Sequence, residues 1–267
     1  MFTKLMSSLI IPFFLLSSST EDFFSSFDIL KFKDWEKLTT LGEKALEEKG
    51  NPKIHARLAT SYFYLGRYEE MKKHVDQCLE HSLDEESNDL LVQTLYLLSA
   101  YHRSQRSYTE ARNVIEKALH KVRSLNNSVL LAKVLYNAGA AEEEDPKGNL
   151  DLAKQYFEEA LTLHDPHSND CHRVLLRLGK VHLLKNAPSV TTTILSKLSN
   201  EKLFPRTQAH FFSLSAQLAL AKGNKEEATL FIDKGLALAE QLHMTTDIKR
   251  LKMLREQIHF SPNDLAQ

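Results

Sequence analysis

Apolar residues recur at helical spacing on both sides of a glycine in the stretch LATSYFYLGRYEEMKKHVDQCL, positions 58 to 79. Before Gly66, one helical face carries Leu58, Ala59 and Tyr62. After it, a second apolar stripe at i, i+3, i+7 and i+10 consists of Tyr68, Met71, Val75 and Cys78. The pattern predicts two short amphipathic helices joined by a turn. Neither is long or apolar enough to fold alone, so each needs a neighbouring surface.

The first of these helices recurs along the chain, marked by an apolar or small residue followed by a small one. The pairs are Leu58-Ala59, Leu98-Ser99, Ala138-Gly139, Leu178-Gly179 and Ser215-Ala216. Their second members are separated by 40, 40, 40 and 37 residues, and Ser26 lies 33 residues before the first of them. A small residue at a fixed place lets two helices approach closely. The period predicts a stack of helix pairs that bury their apolar faces against one another.

The second helix of each unit repeats in the same register. Its four best copies begin with the segments Tyr68–Met71, Tyr108–Ala111, Leu150–Ala153 and Lys225–Ala228. The fifth unit is the poorest copy, because Pro188 replaces the aromatic residue and three threonines in a row have low helix propensity. Proline is tolerated at the start of a helix, so we expect this helix to be weakened rather than lost.

This register resembles that of the tetratricopeptide repeat family, which has an apolar–small pair and a Tyr in the first helix, then an aromatic residue and Ala in the second. The resemblance covers roughly residues 20 to 260. It implies an all-α, right-handed superhelical solenoid of about six helix pairs plus a C-terminal capping helix, Thr245–His259, followed by a tail, 261–267. The period lies nearer to 40 than to 34 residues and leaves HEAT-like pairs as the alternative fold.

Charge and motif content exclude several classes of protein. Lys plus Arg (34) nearly balances Asp plus Glu (35), so no bulk charge recruits nucleic acid or an anionic membrane. The two cysteines, Cys78 and Cys171, are too few for a disulfide framework. The sequence contains no GxGxxG, GxxxxGK[ST], HExxH or GxSxG motif. We therefore expect a protein that is not an enzyme and has no catalytic residue and no cofactor.

The N-terminal residues 1–19 have the layout of a secretory signal peptide. One Lys precedes an uncharged apolar run from Leu5 to Leu16, which is too short to span a bilayer and contains Pro12. Ser17 and Ser19 are small residues suitably placed for cleavage before Thr20. We expect export to the periplasm or the cell exterior and no membrane span in the mature chain. The alternative is a cytoplasmic protein in which this segment packs on the first helix pair.

Two stretches carry candidate metal ligands. HDPHSNDCH, residues 164–172, offers zinc ligands in His164, His167, Cys171 and His172. It falls at a joint between repeats, where Asp, Pro, Ser and Asn form turns, and its spacing matches no zinc motif. AEEEDPKGN, residues 141–149, lacks the alternating oxygen ligands of a calcium loop. We read the first as a turn and the second as a helix end followed by a turn, and expect no metal site.

In the family that the register resembles, repeat positions 2, 5, 6 and 9 of each first helix point into a concave groove. Six of the twenty residues that we place at these positions are Lys or Arg, and none is acidic. The resemblance therefore implies a basic peptide-binding groove. Its candidate residues are Lys53, Arg57, Tyr96, Lys133, Tyr136, Asn137, Arg173, Arg177 and Lys180. The competing interpretation is that these cations solvate an exposed helical face.

The same family includes chaperone-binding members whose carboxylate clamp holds a peptide C-terminus. Asn137 and Arg177 match two clamp residues and Arg173 stands for a third, whereas Tyr96 and Ala100 depart from the pattern. We expect Arg177 to be exposed and free to contact a ligand. The resemblance implies a scaffold, an adaptor or chaperone, for a protein or peptide that is acidic or ends in a free carboxylate. The alternative function is a cytoplasmic peptide-sensing regulatory module.

Overall fold

The computed structural model describes residues 19–31, 34–48, 50–84 and 88–259, and every regular element in these ranges is an α-helix. The helices are α1 (Ser19–Leu30), α2 (Trp35–Glu48), α3 (Pro52–Leu65), α4 (Tyr68–Asp84), α5 (Asn88–Ser104), α6 (Tyr108–Arg123), α7 (Ser128–Glu144), α8 (Leu150–Leu161), α9 (Asn169–Leu184), α10 (Pro188–Ser199), α11 (Pro205–Ala221), α12 (Lys225–Gln241) and α13 (Thr245–His259). The all-α prediction is confirmed. Except for Ser19, the predicted signal segment and the tail lie outside the described residues.

The helices form six antiparallel pairs and a closing helix, as the repeat predicts. Within a pair, the two helices pack against each other, and each pair then packs on the next. The odd-numbered helices from α3 to α11 also contact one another in order, which places them in an inner layer. The even-numbered helices form the outer layer. Within the described ranges, no helix has the length and apolarity that a bilayer span requires.

Local sequence signals fix where the helices begin and end. Asn51 caps α3 by accepting a hydrogen bond from the backbone N–H of Lys53, and Pro52 occupies the first turn. Gly66 ends this helix with a φ of 72°, a left-handed conformation that glycine adopts without steric cost. The opening stretch therefore folds as a helix, a glycine turn and a second helix.

The small positions set the distance between the two helices of a pair. A Cβ atom added to Gly139 would lie 2.7 Å from the ring of Phe157, which α8 packs against it. At the same place in the third pair, the hydroxyl of Ser99 donates a 2.8 Å hydrogen bond to the backbone carbonyl of Ala111. A small side chain at this position lets backbone and ring approach directly, so the contact fixes the pair's geometry.

The fifth pair keeps the same contact with the donor on the opposite helix. The hydroxyl of the buried Thr191 donates a 2.8 Å hydrogen bond to the carbonyl of Gly179. This bond stabilises a threonine at a position where the other copies have Ala or Met. Helix α10 is formed, with Pro188 in its first turn, as expected from a weakened copy.

The superhelix turns far enough for its C-terminal end to meet its second pair. The hydroxyls of Tyr68 and Thr246 lie 2.9 Å apart, although 178 residues separate them. The guanidinium of Arg206 stacks 4.3 Å from the ring centre of Tyr64. These contacts join α3 and α4 to α11 and α13. The solenoid is therefore a nearly closed ring rather than an open, elongated rod.

Replacing Gly139 with Ala tests the close approach of α7 and α8. In an unconstrained helix this change stabilises by about 0.5–1 kcal/mol. Here we expect it to destabilise by about 1–3 kcal/mol, because the new methyl group overlaps the Phe157 ring. Urea unfolding measures the difference. Adding Phe157→Leu should make the two losses less than additive, since the smaller side chain relieves the overlap.

The matched control is Gly50→Ala, since a Cβ atom there meets nothing within 4 Å. We expect its effect to stay within about 0.5 kcal/mol. A stabilising Gly139→Ala change would contradict the packing described for this pair.

Candidate functional site

The inner layer encloses one large cavity, which we call the lumen. Its volume is about 1640 Å³, and the inner helices α3, α5, α7, α9 and α11 line it together with α13. All nine residues that the sequence places in the groove line the lumen: Lys53, Arg57, Tyr96, Lys133, Tyr136, Asn137, Arg173, Arg177 and Lys180. The structure thus brings together side chains that lie up to 127 residues apart in sequence.

The lumen contains carboxylates that counting the four repeat positions does not include. Its described lining has twelve Lys or Arg and seven Asp or Glu residues. The excess of basic residues that the sequence predicts is present, together with carboxylates that lie outside the counted positions. Glu143 and Glu144 enter it from the last turn of α7, three and four residues, about one turn, beyond Ala140, the last position counted in that helix.

These two glutamates are the centre of an ion-pair network that links three inner helices. Glu143 contacts Arg177 and Lys180 of α9. Glu144 lies 2.9 Å from Arg103 of α5 and 2.8 Å from Arg177. Burial on its own raises the pKa of Glu143, but Lys180 and Arg177 reverse this and hold the pKa below its ordinary value. The network therefore stays charged and ties α5, α7 and α9 together along the lumen wall.

Arg177 and Asn137 differ from the sequence expectation, because both are engaged within the protein. The guanidinium of Arg177 contacts both glutamates, and its Nε donates a 3.3 Å hydrogen bond to the hydroxyl of Tyr136. Asn137 accepts a 2.9 Å hydrogen bond from Arg103 and donates one to the carbonyl of Lys133. The expectation of an exposed and free Arg177 is wrong. Side chains of this protein satisfy the donors that the clamp would direct at a ligand.

Tyr136 lies between two arginines of α9. The guanidinium carbon of Arg173 is 4.9 Å from its ring centre, and that of Arg177 is 5.7 Å away. Burial raises the pKa of Tyr136, but Arg177 and Arg173 outweigh burial and lower the pKa to about 8. Its phenol is thus partly ionised near neutral pH, in a lumen with excess positive charge.

A second group of lumen cations has no such compensation. Lys53, Arg57 and Lys133 make no ion pair with any described residue. Arg57 rests on aromatic rings, 4.3 Å from the centre of Phe24 and 5.3 Å from that of Phe27. Lys133 is exposed to the lumen. The lumen wall therefore has two parts. Around Glu143 the positive charges are paired with carboxylates, whereas those of Arg57 and Lys133 have no ion-pair partner among the described residues.

The C-terminal helix adds a third charged group that sequence reasoning missed. Asp247, although buried, lies 3.0 Å from His210 and 3.2 Å from Arg206, both on α11. His210 and Arg206 lower the pKa of Asp247 against the opposing effect of burial. This cluster holds α13 on α11 and positions Arg206 over Tyr64. α13 thereby forms part of the lumen wall.

The histidine-rich stretch at 164–172 forms a turn whose histidines lie in two separate places. His164 lines the lumen, whereas His167 and the buried His172 lie 3.2 and 3.7 Å from Glu201. Among the described residues, no group of three or more His, Cys, Asp or Glu side chains is arranged to hold a metal ion. Ser168 caps α9, as turn chemistry predicts for this joint.

The acidic stretch at 141–149 ends α7 and turns the chain, as its sequence indicates. Asp145 accepts a hydrogen bond from the backbone N–H of Lys147, and Glu142 accepts one from that of Asn149, both at 2.9 Å. Arg112 pairs with Asp145 at 2.6 Å. These three contacts close a turn against α6.

Outside the lumen, a polar chain links α2, α3 and α4. Tyr62 donates a 2.6 Å hydrogen bond to Glu43, which also lies 3.1 Å from the buried His74. The Nδ1 atoms of His74 and His55 are 2.8 Å apart. Burial lowers the pKa of His55 to about 4, with a further contribution from the charge of His74. The neutral rings can therefore share one proton, and the chain serves packing between the first two pairs.

Comparison with known families agrees with this architecture. The family described as tetratricopeptide repeat matches residues 52–82, which span α3 and most of α4, and residues 132–164, which span most of α7 and all of α8. These two segments of the chain are tetratricopeptide repeats. Its longer period reflects inner helices of up to 17 residues. A comparison with curated protein sequences gives no significant match.

Several solved structures have the same fold. A Rap protein complexed with competence and sporulation factor has a TM-score of 0.68 and 14% identity, over 90% of this chain and 74% of that chain. The apo form of RapI has a TM-score of 0.63 and 13% identity, over 89% of this chain and 95% of that chain. PilW, a type IV pilus biogenesis factor, has a TM-score of 0.54 and 17% identity, over 87% of this chain and 97% of that chain. At these identities the similarity establishes the shared fold alone.

The arginine pair around Tyr136 has a spectroscopic consequence. We expect one tyrosine to ionise with a midpoint near pH 8, because Arg177 and Arg173 stabilise its phenolate. The ordinary pKa of a tyrosine is 10.0, so ionisation of Tyr136 stabilises the folded state only as the pH rises above about 8. Ultraviolet absorbance of phenolate during a pH titration of the folded protein measures the midpoint.

The Tyr136→Phe variant should lose this early phase and keep the rest of the titration. A curve identical to that of the unmodified protein would assign the early phase to another residue. Absence of any phenolate until about pH 10 would contradict the arrangement of the two arginines.

Proposed function

We propose that this protein is a non-enzymatic scaffold that binds a peptide, or an extended segment of another protein, within the lumen. The observation that carries this proposal is a single cavity of about 1640 Å³ lined by successive inner helices. It exceeds the roughly 300–1,000 Å³ of most small-molecule sites. Its lining interleaves cations with tyrosines, which provide amphipathic contact area at low entropic cost.

The fold comparisons support a ligand of this kind. One structural neighbour is a Rap regulator solved with the Phr* peptide, with a TM-score of 0.58 over 96% of this chain and 80% of that chain. Another is the Rap protein complexed with competence and sporulation factor. We extend peptide binding to this chain because it shares the fold of these two structures over 90% and 96% of its length.

The charge of the lumen supports an acidic ligand. Lysines and arginines outnumber carboxylates among its described residues, although the whole chain is balanced. A negatively charged segment gains Coulomb attraction in a cavity where the surrounding protein reduces screening. In this role the protein acts as an adaptor or chaperone for an acidic or carboxylate-terminated segment, outside the cytoplasm if residues 1–19 direct export.

The second candidate is a cytoplasmic peptide-sensing regulatory module. The observation that favours it is the narrow junction between the second pair and the C-terminal end, made by the Tyr68–Thr246 and Tyr64–Arg206 contacts. An occupant of the lumen can alter this junction and so change the outer surface. A regulator requires such a change on binding, whereas an adaptor requires only that the segment is held.

Filling the lumen tests the proposed function. The immobilised protein is incubated with a synthetic library of random decapeptides with free C-termini, and retained peptides are identified by mass spectrometry. We expect Thr60→Trp to abolish retention, because Thr60 lines the lumen and a bulky ring there occupies the ligand's space. Circular dichroism should show unchanged helix content.

The matched control is Thr229→Trp on the outer helix α12. Thr229 and Thr60 each donate a 2.9 Å hydrogen bond to the carbonyl four residues earlier, but Thr229 is exposed and outside the lumen. It should retain the same peptides as the unmodified protein. If no peptide is enriched over blank resin, or if Thr60→Trp retains them equally, the proposed function is wrong.

A further inference from the structure

Two of the lumen cations that make no ion pair with a described residue lie on inner helices of the stack. Arg57 projects from α3 and Lys133 from α7, and neither forms an ion pair with a described residue. By contrast, Arg103, Arg177 and Lys180 are all paired with Glu143 or Glu144. The difference separates cations that stabilise the wall from cations that remain for a ligand.

The position of Arg57 is fixed by aromatic packing. Its guanidinium lies over Phe24 and Phe27 of α1, which orients its remaining N–H groups while leaving them without an acidic partner. The protein around it lowers the pKa of Arg57 chiefly by excluding water. Desolvating a cation without pairing it is unfavourable, and an incoming anion removes this cost.

Lys133 is surrounded by positive charge. Its pKa is lowered first by desolvation and then by repulsion from Lys31, Arg173 and Arg57, against a single opposing effect from Asp170. The nearby carboxylates are already engaged, since Asp28 pairs with Lys31 at 2.9 Å and Asp170 with Arg173 at 3.3 Å. A further negative charge beside Lys133 would therefore be stabilised.

Arg57 on α3 and Lys133 on α7 both line the lumen, and the two helices that carry them each pack against α5. The pKa of Asp28 is lowered first by its hydrogen bond to Lys31 and, among the further charges, by both Arg57 and Lys133. Tyr96 of α5 lies between the two helices that carry these cations, and its hydroxyl makes no hydrogen bond to a described residue. The region therefore offers two cations and one hydroxyl donor.

We infer that Arg57, Lys133 and the Tyr96 hydroxyl form a carboxylate subsite of the lumen. The subsite presents N–H and O–H donors with excess positive charge, which suits an anionic acceptor. In a peptide or protein segment, that acceptor is an Asp or Glu side chain or the C-terminal carboxylate. This inference rests on the proposed function and identifies where in the lumen acidic ligands are recognised.

The test uses peptides retained from the random decapeptide library by the full chain. We expect them to be enriched in Asp and Glu. Each selected peptide is resynthesised with Gln or Asn at one acidic position, or with a C-terminal amide, and binding is measured by calorimetry. The form that removes the recognised carboxylate should bind the unmodified protein about tenfold more weakly. Which form does so distinguishes a side chain from the terminus.

The same peptides are then measured against Arg57→Gln/Lys133→Gln. The acidic peptide should bind this variant about tenfold more weakly than the unmodified protein. The affinity of its neutral counterpart should change less than twofold, because the neutral peptide has no carboxylate for Arg57 and Lys133 to contact. Tyr96→Phe should produce a smaller loss of about threefold, restricted to the acidic peptide. Circular dichroism confirms that each variant is folded.

The control variant is Arg106→Gln/Lys249→Gln, which removes one Arg and one Lys from exposed positions of the same lumen. This variant should still bind the acidic peptide about tenfold more tightly than its neutral counterpart. If both double variants lose the same affinity for the acidic peptide, the effect comes from the overall charge of the lumen. That result would overturn the subsite. Enrichment of peptides without acidic preference would also overturn it and leave the scaffold function standing. Absence of any enriched peptide would overturn both.

Discussion

The pairing of charges inside the lumen is the constraint on which the rest of this structure depends. A ring of inner helices surrounds side chains with protein, where an unpaired charge is expensive. Glu143 and Glu144 provide the ion-pair partners of Arg103, Arg177 and Lys180. Because these five residues lie on α5, α7 and α9, satisfying their charges also fixes the spacing of the wall.

The close approach of the two helices in each pair works together with this network. Gly139 allows the Phe157 ring to pack directly on α7, and the Ser99 and Thr191 hydroxyls bind the facing backbone in two other pairs. The small positions set the curvature of the stack, and accumulated curvature brings Tyr68 to Thr246. A cavity of this size follows from repeated local contacts rather than from any single long-range interaction.

The sequence was sufficient for the helices and their pairing because both depend on local signals. Glycine, proline and the recurring small residues mark the joints, and Thr245–His259 is bounded as predicted. The site was only partly predictable. Counting repeat positions found Arg177 but not its partners, since Glu143 and Glu144 lie beyond the last counted position of α7. Stepping three and four residues on from Ala140 along the same face would have reached both.

Ring closure and the role of Asp247 were beyond the reach of sequence reasoning, because they depend on the summed rotation of six pairs. A polar residue on a capping helix reads as solvent-facing, yet Asp247 is buried between Arg206 and His210. The same rotation decides which cations end up paired. Arg57 and Lys133 are not distinguishable from Arg177 in sequence, and only their surroundings separate them.

Lys133 faces the lumen without an ion-pair partner among the described residues, and this leaves it available for a ligand's negative charge. Carbon-13 NMR of the lysine Cε positions, assigned with Lys133→Arg, measures its pKa directly. In the free protein, desolvation and the repulsion from Lys31, Arg173 and Arg57 should place this pKa below the ordinary 10.5, and a bound acidic peptide should raise it. A pKa at its ordinary value in the free protein, unchanged by the peptide, would contradict this role of Lys133.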